Sequence, residues 1–253
     1  MLQNTFLHIQ GIGETSERKI WNLGIHDWES YLAAHRAGRL AGRKIGALAD
    51  DVEDSIRRYA SGDWSSFDRG IPSQHKWRGY GDFKDQTLYV DIETTGLMGD
   101  DIITVIGTYN GKDCRSFVKG QNLEEAVEEI ERYPLVVTFN GAQFDMPIIR
   151  AHFPGHQFNH IHVDLRYPLK TLGFKGGLKK IEQSMGIARS ERTTGLDGWD
   201  AVRLWHSYLE GSQDALDTLL EYNREDIKNL EPLMKYVFDH LSIHASPNLQ
   251  AIT

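Results

Sequence analysis

The chain has 253 residues and 40% hydrophobic content, enough for one large domain, or one domain and a small appendage, of a soluble globular protein. Its net charge of −8 argues against a surface that binds polyanions indiscriminately, and no apolar run is long enough to span a membrane. The N-terminus lacks the basic-then-apolar layout of a signal peptide, and Cys114 is the single cysteine, so an internal disulfide is excluded and a reduced, cytoplasmic setting is expected.

The charge is uneven. Residues 1–80 carry 11 Lys/Arg against 10 Asp/Glu, whereas residues 81–253 carry 17 against 26. Between His162 and Lys180 the balance reverses, with Arg166, Lys170, Lys175, Lys179 and Lys180 facing only Asp164. A basic strip of this kind suits a nucleic-acid backbone.

In chain order, residues 1–60 read as a helical module. The stretch from Leu7 to Ile25 contains Gly11-Ile12-Gly13 and is similar to a helix-hairpin-helix element, with Ser16 where alanine is usual. That resemblance implies phosphate binding by backbone N–H groups at Gly11 and Gly13; the alternative is a plain helical hairpin with glycines at the turn. A second helix is expected to carry Gly38, Gly42 and Gly46 as a close-packing stripe. Residues 61–86, rich in Ser, Gly, Pro and Asp, read as a linker pinned to the next domain by Trp64, Phe67, Trp77 and Tyr80.

From Thr87 the pattern alternates. Strands are predicted at 87–92, 102–109, 114–119, 135–140 and 160–165. Helices are predicted at 122–132, 143–152, 177–186, 198–209 and 213–240. This order gives an α/β domain over 87–243, a mixed five-stranded sheet flanked by helices. His152, His156, His160 and His162 cluster here, but without a nearby cysteine they read as packing or solvent histidines rather than zinc ligands.

The first strand holds the chemistry. In Leu88-Tyr89-Val90-Asp91-Ile92-Glu93-Thr94 two carboxylates two residues apart point to one face. Buried acids need a positive partner, and hard divalent cations prefer carboxylate oxygen. Asp145 lies at the start of an amphipathic stretch after Asn140-Gly141. Tyr222 and Asp226 share a helix face at i, i+4. Each acid also has a simpler reading. Asp145 would cap a helix at Met146-Pro147, Asp226 would pair with Arg224 or Lys228, and Glu93 would cap a turn through Thr94 or Thr95.

Asp91-x-Glu93, Asn140-x-x-x-Phe144-Asp145 and Tyr222-x-x-x-Asp226 together resemble the three exonuclease motifs of the DEDD (DnaQ-like) superfamily. The match covers about residues 75–240. It is similar to the YprB-like branch and to the proofreading domains of family B DNA polymerases. Tyr222, with Glu221 where a DEDDh member carries histidine, points to the DEDDy type.

The resemblance implies a ribonuclease H-like fold and a metal-dependent 3′→5′ exonuclease acting on a single-stranded 3′ end; DNA is the favoured substrate, although the sequence does not separate it from RNA. It implies two Mg²⁺ or Mn²⁺ ions about 4 Å apart clamping the scissile phosphate. Asp91 would bridge both ions, Glu93 and Asp226 would hold the ion carrying the attacking water, and Asp145 would support the second. Tyr222 would orient that water. Thr94, Leu97, Asn140 and Lys179 are expected to contact substrate, with Met98 beside the terminal base and Phe144 packed in the core beneath Asp145. A structure-specific endonuclease on flapped or branched nucleic acid, or a non-catalytic nucleic-acid-binding adaptor, would use the same fold.

Overall fold

The computed structural model describes residues 1–96 and 102–245. Its centre is a five-stranded sheet of β1 (Thr87–Thr94), β2 (Ile103–Tyr109), β3 (Cys114–Val118), β4 (Leu135–Thr138) and β5 (Ile161–Asp164), in the order β3-β2-β1-β4-β5. Antiparallel pairing joins β1 to β2 and β2 to β3, while β4 runs parallel to both β1 and β5. The predicted mixed sheet is present.

β1 is buried on both faces, so it reads as a near-continuous apolar run broken only by its acids. Its pairing with β4 ends at Tyr89, whereas its pairing with β2 continues to Thr94 with a register shift after Glu93. The carboxyl end of β1 therefore stands free of β4. Open α/β sheets place ligand sites beyond strand ends of this kind.

Helices cover both faces. Val90 and Ile92 enter one core with α6 (Ala126–Glu131) and α7 (Asp145–His152). The opposite face meets α10 (Gly198–Leu209) and α11 (Gln213–Ala245), whose Leu216, Leu219 and Tyr222 pack with Val105 and Val118. Two short helices, α8 (Arg166–Thr171) and α9 (Leu178–Ser184), follow β5; α8 was not expected. β4 ends at Thr138, short of the predicted 140, because Asn140 turns the backbone to φ 65°.

The N-terminal part holds α1 (Glu14–Trp21), α2 (Trp28–Arg36) and α3 (Ala49–Ser61). The glycine stripe is corrected here. α2 stops at Arg36, where Gly38 takes φ 70° and the Gly38 and Arg39 N–H groups donate to the carbonyls of His35 and Ala34. That arrangement is a Schellman stop, which glycine favours because it has no Cβ to clash.

Residues 61–86 are also not irregular. They form α4 (Trp64–Gly70), α5 (Tyr80–Phe83) and flanking 3₁₀ turns. Phe67 stacks on Trp28 at 5.7 Å, and Trp77 and Tyr80 meet the ring of Phe238 on α11. Asp68 accepts the His162 N–H at 2.8 Å and pairs with Lys76, covering the exposed edge of β5. Aromatic burial supplied the helical order that polar composition concealed. One hydrophobic core joins Phe6, Trp28 and Phe67 to Val137, Val163 and Leu233. Among the described residues no helix is long and apolar enough to cross a membrane.

Candidate metal centre

Strand alternation aims Asp91 and Glu93 at α11, and one turn of that helix brings Asp226 to meet them. An oxygen from each of the three carboxylates lies within 4.8 Å of the others. Among the described residues no other His, Cys, Asp or Glu group of three converges in this way.

Asn223, wholly buried, fixes the pair on β1. Its Nδ2 donates to the Asp91 carboxylate at 3.0 Å and to Glu93 at 3.4 Å. The sequence reading passed over this residue, although it lies three positions before Asp226 and so shares its helix face. Its approach depends on Gly107, which pairs with Asp91 across the sheet. A Cβ at Gly107 would stand 1.8 Å from Asn223 Oδ1. Gly107→Ala is therefore expected to push Asn223 away and to cost about 1–3 kcal/mol as an overpacking substitution. Urea unfolding measures that cost, and a Mg²⁺ titration of the same variant should show weakened binding.

Burial pushes the Asp91 and Glu93 carboxyls well above the usual carboxylate range, and repulsion from Asp226 adds to it. Burial also raises Asp226 to about 6, with Arg189 opposing the rise. Asp145 is raised to about 7, again by burial first. Its Oδ1 accepts the Ile92 N–H at 3.3 Å, so it stands beside the three convergent acids rather than among them. A set of buried like charges is the environment that a hard divalent cation relieves. Asp91, Glu93 and Asp226 thus have the donor chemistry to hold one.

Arg189 was not foreseen. Its guanidinium makes a two-pronged pair with Glu182 at 2.7 Å and also contacts Asp226. Asp226 thus pairs with this loop residue, not with its helical neighbours Arg224 or Lys228. Nothing in a loop sequence marks such a contact in advance.

Tyr222 faces the same space. Lys179 Nζ donates to its hydroxyl at 2.7 Å and to the Leu196 carbonyl, and lies 4.3 Å from the ring centre. Burial raises the Tyr222 phenol, and the nearby acids add to that. Lys179, expected to contact substrate, thus stands against the tyrosine.

Above the acids opens a cleft of about 520 Å³ lined by Thr94, Phe144, Trp199 and Val202. Phe144 is 44% exposed at its mouth, which corrects its expected place in the core. α7 begins at Asp145, so the preceding residue falls outside the packed face. Trp199, 67% exposed, was also unforeseen. The Asp197 cap, accepting from Trp199 N at 2.8 Å, fixes it in the first turn of α10.

Other expected contacts lie elsewhere. Asn140 lines a second depression, and Leu97 and Met98 fall outside the described residues. Gly11 and Gly13 precede α1, far along the chain and absent from the cleft lining. Residues 7–11 form turns and a bend that lead into α1, and Glu14 and Glu17 occupy its first turn, Glu17 buried and paired with Arg78. The histidines separate. His162 bonds Thr138 at 2.8 Å inside the core, while His156 pairs with Glu131.

Residues 88–238 match a family model described as RNase_H superfamily (RNase_H_2). The fold is similar to that of the family B DNA polymerase from the hyperthermophilic archaeon Pyrobaculum calidifontis, with a TM-score of 0.50 and 14% identity. The likeness covers 63% of this chain and 25% of the polymerase, so the chain matches about a quarter of that protein's length. A search of curated proteins by sequence returns no match.

Proposed function

The chain belongs to the RNase H superfamily, and from that premise we propose that it is a metal-dependent 3′→5′ exonuclease of DEDDy type, cutting single-stranded DNA in preference to RNA. The observation that carries the reading is the convergence of Asp91, Glu93 and Asp226 within 4.8 Å, beside Tyr222, under an open cleft. Asp91, Glu93 and Asp226 would hold a divalent ion, Mg²⁺ or Mn²⁺, and Asp145 would support a second. Ions bound there supply Lewis acidity toward a phosphoryl oxygen and lower the pKa of a coordinated water.

The chain's own groups do the rest. Asn223 keeps the β1 acids in register. Tyr222, held by Lys179, orients water through its hydroxyl; its raised pKa makes it a positioning group rather than a base. Thr94, Phe144 and Trp199 line the space a terminal nucleotide enters, and the two exposed rings offer faces on which bases stack. The catalytic unit spans residues 87–243, and residues 1–86 brace it.

Oligonucleotides labelled at either end, incubated with Mg²⁺ or Mn²⁺, test the reading. Stepwise loss of mononucleotides from the 3′ end is expected. Cleavage of a circular single strand would show an endonuclease instead, and no metal-dependent cleavage of any substrate would refute a nuclease. Tyr222→Phe is expected to lower kcat by about 10²-fold, the scale of losing a positioned reactant, with Mg²⁺ affinity unchanged by calorimetry.

A further inference from the structure

A second depression, of about 680 Å³, is lined by Phe139, Asn140, Arg166, Lys170, Phe174 and Lys175. Three of these side chains are cationic and exposed, and none of the lining residues is acidic. In a chain of net charge −8 that is a local reversal. Among the described residues no carboxylate forms an ion pair with Arg166, Lys170 or Lys175. The Arg166 guanidinium is held instead by the amide oxygens of Asn140 and Gln143.

The architecture explains the placement. Buried Asp164, at the end of β5, accepts the N–H groups of Asn140 at 2.7 Å, Ala142 at 3.1 Å and Arg166 at 3.0 Å. The loop after β4 and the start of α8 are thereby tied together. α8 then presents Arg166 and Lys170 at i, i+4 on one face. Phe174 is fixed edge-on against Tyr236 at 5.7 Å.

The loop also links the two clefts. Asn140 borders the basic one and Phe144 the acidic one. Four Cα steps of about 3.8 Å separate them, at most about 15 Å. A single strand whose end lies at the carboxylates is long enough to reach the cations.

We infer that the cleft between Asn140 and Lys175 is a second nucleic-acid subsite, which takes the sugar-phosphate backbone of a single strand a few nucleotides before the bond to be cut. Cations interleaved with aromatic faces are the pattern that binds single strands without reading sequence. An acidic peptide would satisfy the charges but leave the Phe139 and Phe174 rings unused. The inference rests on the proposed nuclease reading, and it adds a dependence on substrate length.

The test uses the full chain carrying Lys170→Glu and Lys175→Glu together, with its melting temperature as a check of folding. Fluorescence anisotropy in EDTA follows binding of a 12-nucleotide single strand over a range of salt. Affinity is expected to fall at least tenfold, and the slope of log K against log[salt] to flatten by about 1.4, at about 0.7 per lost phosphate contact. Unchanged affinity and slope would overturn the subsite. Displacement of the oligonucleotide by polyglutamate as readily as by polyphosphate would also overturn it, in favour of an acidic protein partner. Wild-type hydrolysis of the p-nitrophenyl ester of thymidine 5′-monophosphate, too small to reach the cations, reports on the acidic cleft alone. Failure there, with binding still weakened by the double substitution, would remove the nuclease reading and leave the subsite standing.

Discussion

Asp91→Asn is expected to lower metal-dependent cleavage by at least about 10³-fold while raising the melting temperature of the metal-free protein at pH 8. The two effects have one cause. A bound ion supplies several kcal/mol of transition-state charge stabilisation, and each 1.36 kcal/mol is tenfold in rate. Without the ion, Asp91 is a half-buried carboxylate pressed by Asp226, Asp145 and Glu93. On the proposed reading, its removal deletes a metal ligand and a source of repulsion together.

The same reasoning fixes a pH dependence. Asp226 and Asp145 have folded values of about 6 and about 7, above the ordinary 3.8. The folded state therefore holds protons that the unfolded state has released. Their contribution is fully present below about pH 4 and is lost as pH rises through 6 to 7. Asp226 and Asp145 should therefore favour the metal-free fold less at pH 8 than at pH 5, while buried His8, His160 and His162, whose values burial lowers, act in the opposite sense. Mg²⁺ binds the ionised acids, so its stabilisation, about 2.7 kcal/mol at a hundred times Kd, should be larger at pH 8. Differential scanning fluorimetry with EDTA or Mg²⁺ across this range measures both. An Asp145→Asn variant whose metal-free melting temperature follows pH just as the wild type does, or an Mg²⁺ increment independent of pH, would contradict the arrangement of charges.

What a single sequence reveals here follows from the range of each interaction. Asp91 and Glu93 were legible because strand periodicity puts alternate residues on one face, and β1 is a strand with Val90 and Ile92 opposite. Tyr222 and Asp226 were legible because a helix repeats at four. Asn223, between them, offered the same periodicity, but an amide carries less charge and drew no notice. Gly107 left a weaker trace, a glycine in mid-strand where another group comes close. Arg189 and Trp199 left none, since a loop and a helix start owe their positions to tertiary packing. Polar composition misled at residues 61–86, where Phe67, Trp77 and Tyr80 decide the structure through contacts distant in sequence. Lys179 was found as a basic residue near the site, yet charge alone did not show that it faces Tyr222.

Arg189→Met should separate the two tasks that this side chain performs. In the metal-free protein its guanidinium is the counter-ion of Glu182, 1% exposed, and of Asp226, 7% exposed. Removing one member of a buried ion cluster leaves the others uncompensated, at a cost of about 3–5 kcal/mol. Among the described residues, Glu182 then retains only the Asn229 amide as a side-chain partner, at 2.9 Å. Mg²⁺ restores a counter-ion to Asp226 but not to Glu182, so saturating metal should recover part of the loss and no more. The Mg²⁺ affinity should rise, because a fixed positive charge beside the site is gone. kcat should nonetheless fall, since Arg189 also lies over the Tyr222 ring at 5.7 Å and orients Asp226. Glu182→Gln, alone and combined with Arg189→Met, closes a double-mutant cycle whose coupling energy belongs to the Glu182 pair alone. Chemical denaturation with and without Mg²⁺ reads the stability loss, its recovery and the coupling energy, calorimetric titration reads the Mg²⁺ affinity, and a steady-state cleavage assay reads kcat. If Arg189→Met weakened Mg²⁺ binding, the arginine would act as a scaffold for the ligands, and not as a cation standing in for the metal.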